Sequence, residues 1–205
     1  MKKEKIILVA NGNLFKKKLL LNFLKNYDSI ICTDGAANKI VDLGLKPNYI
    51  LGDLDSIYKK NIKKYKKNII ELDNQNYSDL YKSLSWIKKN KIKQIDIIGI
   101  DGRRIDHSIA NFNIILEYIP FINITIFTEY GNIYTINKKR IFKNCYNKNI
   151  SIFSASEKNK ISTSGLQYEL NNHELKKIYS GTLNKAINNK ITIKTEKKIL
   201  VFISN

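Results

Sequence analysis

The chain has 205 residues, 43% of them hydrophobic, enough to bury a core and to form one domain or a domain with a smaller companion. Its formal charge of +18 would suggest nucleic acid, but only three of its 36 basic residues are arginine, the side chain whose fork favours base and phosphate recognition. Lys, Asn and Ile fill 95 of the 205 positions, all with A/T-rich codons, so compositional drift on solvated faces accounts for the charge and argues against a nucleic-acid partner.

In chain order, "MKKEKIILVANGN" has the basic start of a secretory signal, but its apolar run, Ile6 to Ala10, is short and ends in a turn, so it reads as a first strand. From Lys5 to about Thr128 the strand candidates are "KIILVA", "SIICT", "YIL", "NIIEL", "QIDIIGI" and "NITIFT". Between them "NLFKKKLLLNFLKNY", "AANKIVDLG", "SDLYKSLSWIKKN" and "HSIANFNIILEYI" carry apolar residues at helical spacing. This alternation predicts an α/β fold whose first part is a Rossmann-like, mostly parallel sheet with flanking helices and ligands at the carboxyl ends of its strands. Beyond about Tyr130 come "NIYTI", "NISIFSA", "KISTS", "KITIKT" and "KILVFIS", with no long helical pattern, which predicts a C-terminal antiparallel β-sandwich. The expected division is therefore 1–130 and 131–205. No apolar stretch approaches the roughly 20 residues of a membrane span, and Cys32 and Cys145 form no metal or CxxC pattern, so a soluble, cytoplasmic protein is expected.

Acidic residues gather at the predicted strand ends. Asp34 follows "SIICT", Asp53 and Asp55 follow "YIL", Asp73 follows "NIIEL", and Asp101 and Asp106 follow "QIDIIGI". Asp79 opens a helix just beyond Gln75. Carboxylates delivered to one sheet edge repel one another unless a cation sits among them. Oxygen ligands without clustered His or Cys point to Mg2+ and not zinc. Taken singly, Asp34 and Asp73 also suit helix caps, Asp53 and Asp55 turn positions, and Asp79 a first-turn acid. A GDxDS turn, however, uses two acids and a glycine where one cap would do.

"GIDGRRIDHSIAN" adds Arg103 and Arg104 beside Gly99, Gly102 and His107 at a strand-to-helix junction. Arginine fits phosphate bidentately and glycine admits it close to the backbone. Acids opposite such a loop suggest transfer of a phosphate-containing group, and without GxxxxGK[ST] this is not a P-loop. His107 suits either a packed or capping role or a catalytic one, and His173, in the polar "LNNHEL", reads as a surface residue.

These segments resemble the thiamine pyrophosphokinase (thiamin diphosphokinase) family. "TDGAAN", Thr33 to Asn38, is similar to its DGGAN motif, and "LKPNYILGDLDS" to its P-x-x-I-x-G-D-x-D-S segment. "DNQNYSDLYKSL" resembles D-Q-[DN]-x-T-D-[FL]-x-K-[AC]-L, "GIDGRRIDHSIAN" resembles G-x-x-G-G-R-x-D-H-x-x-x-N, and "STSGLQYEL" resembles T-x-G-L-x-[WY]-x-L. The matches run in the family's order across nearly the whole chain. The resemblance implies transfer of diphosphate from ATP to the thiamine hydroxyl, giving thiamine diphosphate and AMP, with Mg2+ as cofactor. It also implies a nucleotide-binding catalytic domain over 1–130, a thiamine-binding sandwich over 131–205, and a homodimer with thiamine at the subunit interface. By position, Asp53, Asp55 and Asp79 would hold Mg2+ and act with Asp106 in catalysis. Asp34, Gln75, Arg104 and His107 would form the nucleotide site, and Tyr168 and Asn184 the thiamine site.

The chain departs from the family pattern in three elements. Arg103 replaces the second glycine of GGR, Ser78 replaces a threonine, and the S-N-[ET] element appears as Leu183 to Lys185, "LNK", with only Asn184 kept. These departures leave two alternatives, a pyrophosphokinase for another primary alcohol such as a hydroxymethylpterin, and a basic nucleic-acid-binding protein on the same fold.

Overall fold

The structure, a computed structural model, describes residues 4–102 and 104–205, so Arg103 lies outside the described residues. Packing divides the chain into two compact units, Met1–Ile124 and Thr125–Asn205.

The first unit contains, in order, β1 (Ile6–Val9), α1 (Lys17–Leu24), β2 (Ser29–Thr33), α2 (Asp34–Asp42), β3 (Tyr49–Gly52), α3 (Lys59–Lys64), β4 (Ile69–Glu71), α4 (Asp79–Lys89), β5 (Gln94–Ile98) and α5 (Ile105–Tyr118). Its strands pair in parallel in the order β5-β1-β2-β3-β4. The pairs are nearly level at their carboxyl ends: Val9 is opposite Cys32 and Ile98, Thr33 opposite Leu51, and Gly52 opposite Glu71. The residues that follow the strands therefore emerge along one edge.

Strands covered on both faces need continuous apolar sequence, and Ile7, Leu8, Val9 and all of β2 are buried. The covering helices bury one stripe each. In α4 that stripe includes Leu80, Leu84 and Ile87, and the helix begins where Ser78 Oγ accepts a hydrogen bond from Tyr81 N–H. Asp79 in its first turn and Lys88 and Lys89 in its last suit the helix dipole. Helix α3 and the short 3-10 turn Lys66–Asn68 were not expected. Their segment "KKNIKKYKKN" offers only Ile62 and Tyr65 as apolar anchors, too few for a periodic signal.

The second unit takes up β6 (Asn123–Phe127) across the boundary, then β7 (Gly131–Ile136), β8 (Lys139–Lys143), β9 (Asn149–Phe153), β10 (Lys160–Ser164), β11 (His173–Glu174), β12 (Gly181–Lys185), β13 (Lys190–Thr195) and β14 (Ile199–Ser204). One antiparallel layer runs β12-β9-β14-β7 with β6 on β7, and the other runs β11-β10-β13-β8. Alternate residues face inward, so Ile150, Ile152, Val201 and Ile203 from one layer share a core with Ile161, Ile191 and Ile193 from the other. No helix occurs among the described residues of this unit. The expected α/β class, a mostly parallel sheet with helices followed by an antiparallel sandwich, is what the structure shows.

Candidate functional site

At the carboxyl edge of the parallel sheet β3 ends in Gly52 and turns through Asp53, Leu54, Asp55 and Ser56. Gly52 is required by a close approach, since a Cβ there would stand 2.9 Å from both Cβ and Cγ of Asp34. Strand geometry alone would set residues i and i+2 about 7 Å apart. Leu54, at φ 69°, folds the turn more tightly. One oxygen each of Asp34, Asp53 and Asp55 consequently lies within 4.8 Å of the others.

Helix α2 holds this turn from below. Asp34, 1% exposed, accepts hydrogen bonds from Gly35 N–H and, at 3.3 Å, from Ser56 N–H. One helical turn on, buried Asn38 donates to Ser56 O at 2.9 Å and accepts from Tyr58 N–H at 3.0 Å and Asn61 Nδ2 at 2.9 Å. The i, i+4 spacing places both side chains on the face turned to the acids. Burial, with the charge of Asp79 next and that of Asp55 smaller, pushes the Asp34 carboxyl up to about 6, while the Gly35 and Ser56 amides work against the rise.

Asp53 Oδ2 accepts from Lys82 Nζ at 3.0 Å and from Gln75 Nε2 at 3.1 Å, and the same ammonium reaches Asp79 Oδ1 at 2.9 Å. The Lys82 bond, foremost, holds the Asp53 carboxyl below its usual range. Burial works to lower the Lys82 pKa, but the bonds to Asp79 and Asp53 outweigh it and the net shift is upward. Asp55 is exposed, and its Oδ1 accepts from Ser56 Oγ at 2.7 Å. Asp73, exposed beyond β4, is not part of this group.

Opposite the acids, the continuation of β1 lies against the loop after β5. Gly12 N–H donates to Gly99 O at 2.7 Å and Asn13 N–H to Asp101 O at 2.8 Å. A Cβ on Gly12 would fall 2.3 Å from Asp101 O and 2.4 Å from Gly99 O, so only glycine permits this approach. A cavity of about 470 Å³ is lined by Asp53, Asp79 and Lys82 together with Gly12, Gly102 and Arg104. Thr33, whose buried hydroxyl finds no hydrogen-bond partner among the described residues, also lines it. His107 and Asn111 border it from α5, and Asn111 Nδ2 donates to Ile100 O at 2.8 Å. The Arg104 guanidinium spans the Asp106 carboxylate with two hydrogen bonds, one of them Nε to Oδ1 at 3.1 Å. That contact holds the exposed Asp106 carboxyl below its usual range.

In the second unit Tyr168 is 63% exposed and is fixed through its backbone. Buried Asn184 donates to Tyr168 O at 2.7 Å and accepts from Tyr168 N–H at 3.1 Å and Lys185 N–H at 2.9 Å. Both ends of its amide are thus committed to main chain. The Glu169 carboxylate pins the same turn, accepting from Gly165 N–H, from Leu166 N–H at 3.1 Å and from Thr163 Oγ1 at 2.7 Å. The structure therefore brings Asp34, Asp53, Asp55, Asp79 and Gln75 together, sets Arg104 and His107 at the same cavity with Asp106 on Arg104, and joins Tyr168 to Asn184. Sequence reasoning assigned no role to Lys82, Asn38 or Glu169. For Lys82 the available signal was a lysine three residues after Asp79, which the helical period sets on the same side of α4 as that acid.

A parallel α/β unit with clustered acids facing a glycine-walled cavity at its strand ends, followed by an antiparallel sandwich, defines a two-part α/β group-transfer enzyme. Residues 20–127 match the family model for the thiamin pyrophosphokinase catalytic domain, and residues 131–202 match that for the thiamin pyrophosphokinase substrate-binding domain. The chain belongs to the thiamin pyrophosphokinase family, diphosphotransferases that use ATP. It is similar to thiamine pyrophosphokinase 1 of Arabidopsis thaliana, with 28% identity over 214 residues covering 85% of this chain and 77% of that protein. It is also similar to thiamin pyrophosphokinase 1 of Caenorhabditis elegans, with 26% identity over 195 residues covering 84% and 77%. Among solved structures, thiamine pyrophosphokinase from Bacillus subtilis superposes with a TM-score of 0.78 at 24% identity, over 98% of this chain and 99% of that one. The yeast thiamin pyrophosphokinase structure superposes with a TM-score of 0.73 at 20% identity, over 100% and 87%. At these identities the superpositions speak for the fold.

Proposed function

We propose that the chain transfers diphosphate from ATP to the hydroxyl of thiamine, giving thiamine diphosphate and AMP. The observation that carries this reading is the cavity that Asp53, Asp79 and Lys82 share with Gly12, Gly102 and Arg104. A primary alcohol attacking the β-phosphorus must be placed in line while charge on the phosphate oxygens is neutralised. The oxygen-only donor set of Asp34, Asp53 and Asp55, one oxygen of each within 4.8 Å of the others, fits Mg2+, which when bound would supply that neutralisation, and Asp79 joins these acids by way of Lys82.

The remaining roles fall to the chain's own groups. Gln75 and Lys82 orient the Asp53 carboxylate, and Asp106 orients the Arg104 fork. Arg104 and His107 border the nucleotide, and Thr33 lines the same cavity. Residues 1–130 would form the nucleotide-binding catalytic domain and 131–205 the thiamine-binding domain. There Tyr168 offers its ring, and Asn184 acts by holding the Tyr168 backbone. A homodimer accords with exposed apolar side chains on the second unit, Leu183 at 91% and Tyr146 at 70%. A cytoplasmic location accords with two free, buried cysteines. Among the described residues no helix is long and apolar enough to cross a membrane.

Incubation with thiamine, ATP and Mg2+ followed by product analysis tests the reading. Thiamine diphosphate with AMP supports it, whereas thiamine monophosphate with ADP identifies an ordinary kinase. Tyr168→Ala is expected to raise the KM for thiamine several-fold and leave that for ATP nearly unchanged, since an aromatic stacking contact contributes on the order of 1 kcal/mol. The ring's exposure argues against a core role, so the melting temperature should hold. A normal thiamine KM in the folded variant excludes Tyr168 from the acceptor site.

A further inference from the structure

Lys82 departs from the pattern of this lysine-rich surface. Its side chain is 5% exposed, and its ammonium lies 3.0 Å from Asp53 Oδ2 and 2.9 Å from Asp79 Oδ1. Those acids belong to different elements, Asp53 to the turn after β3 and Asp79 to the start of α4, so the ammonium ties the turn to the helix. A buried ammonium persists only when paired and hydrogen-bonded, and two carboxylates meet that condition. Two other cations among the described residues near the cavity have partners of their own. Arg104 spans Asp106, and Lys39 Nζ donates to Asn11 O at 3.0 Å and Gly12 O at 3.1 Å. Lys82 contacts the carboxylates of Asp53 and Asp79, and Asp53 in turn bonds the neutral amide of Gln75 and stands with the carboxylates of Asp34 and Asp55.

We propose that Lys82 is the site's built-in counter-cation: it holds Asp53 and Asp79 in register and, by occupying Asp53 Oδ2, weakens the hold of the acids on a divalent ion. The inference rests on reading these acids as a cation site. A divalent ion approaching them meets a fixed positive charge that already shares their oxygens. Removing that charge strengthens ion binding and releases the two acids from their fixed relation. Lys82 is thus a positioning residue, whose benefit to turnover comes at the expense of ion affinity in the nucleotide-free protein.

The test measures Mn2+ binding to the nucleotide-free full chain by titration calorimetry, for the wild type, Lys82→Met and Lys82→Arg. Lys82→Met is expected to bind Mn2+ roughly tenfold or more tightly, because a unit charge a few Å from the ion is removed from a poorly screened site. It should also show the larger rise in melting temperature on adding Mn2+, with a lower kcat. Lys82→Arg, which keeps the charge, should stay within a few-fold of the wild-type Mn2+ affinity. If Lys82→Met does not fold, Lys82→Gln carries the same expectation. Unchanged or weaker Mn2+ binding by the neutral variant, beside measurable binding by the wild type, overturns the role of Lys82. Absence of binding by both overturns the reading of the acids as a cation site, and the inference with it.

Discussion

Asp53→Asn and Asp55→Asn are each expected to leave the protein folded and to lower turnover by a factor of roughly a hundred or more, the usual effect of removing one preorganised charge-stabilising group. The two substitutions differ in what else they disturb. The Asp55 carboxylate is exposed and, among the described residues, accepts from the neighbouring Ser56 hydroxyl and meets no cation, so its amide variant should melt like the wild type. Asp53 accepts from both Lys82 and Gln75, and its amide variant leaves the Lys82 ammonium with Asp79 as its carboxylate partner. A modest fall in melting temperature is expected there, because a buried cation that loses one of two anionic partners is left partly uncompensated. Rates at saturating ATP and thiamine with Mg2+, alongside thermal melts, make the comparison. Two variants that melt normally and keep near-full activity would remove both acids from the site.

The contrast between legible and hidden features has a physical basis. The five strands of the parallel part and their junctions were readable because a strand buried on both faces is a bare apolar run, and "SIICT" and "IILV" are nothing else. The acids were readable because each follows such a run, which places it at the carboxyl edge whatever the helices do. Helix α3 was not readable, since it owes its place to buried Asn61 bonding Asn38 and to Tyr65, contacts that no local pattern announces. Strands β8, β11 and β12 are short or polar, and their pairing is decided by partners distant in sequence.

The same distinction runs through the site. That Asp34, Asp53 and Asp55 approach one another follows from topology. That Lys82 lies between Asp53 and Asp79 depends on how α4 packs beside the turn after β3, which a helical period cannot convey. For Asn184 the sequence offered only its place in the motif. In a chain this rich in asparagine nothing marked its amide as the clamp on Tyr168, and the bond pattern appears only when β12 meets the turn after β10.

Gly12→Ala separates damage to the cavity wall from damage to stability. The added Cβ would meet two main-chain oxygens, Asp101 O at 2.3 Å and Gly99 O at 2.4 Å, and no flexible side chain stands there to yield. The β1 continuation and the loop after β5 must therefore part, stretching the Gly12 to Gly99 and Asn13 to Asp101 hydrogen bonds that hold them. Overpacking of this kind costs about 1–3 kcal/mol of stability. Because the displaced backbone is one wall of the cavity, a shift of about 1 Å should also lower kcat/KM for ATP on the order of a hundredfold. Gly44→Ala is the matched control. Gly44 has φ +79° with nothing within 4 Å of an added Cβ, so alanine there strains only the backbone, at about 1 kcal/mol, and should leave kcat/KM per folded molecule unchanged. Melting temperatures and ATP kinetics of the two variants decide the matter. If Gly12→Ala loses stability no more than Gly44→Ala and keeps its kcat/KM, the close contact of Gly12 with Gly99 and Asp101 does not shape the nucleotide site; a deficit in Gly12→Ala far beyond its loss of stability ties that contact to the chemistry.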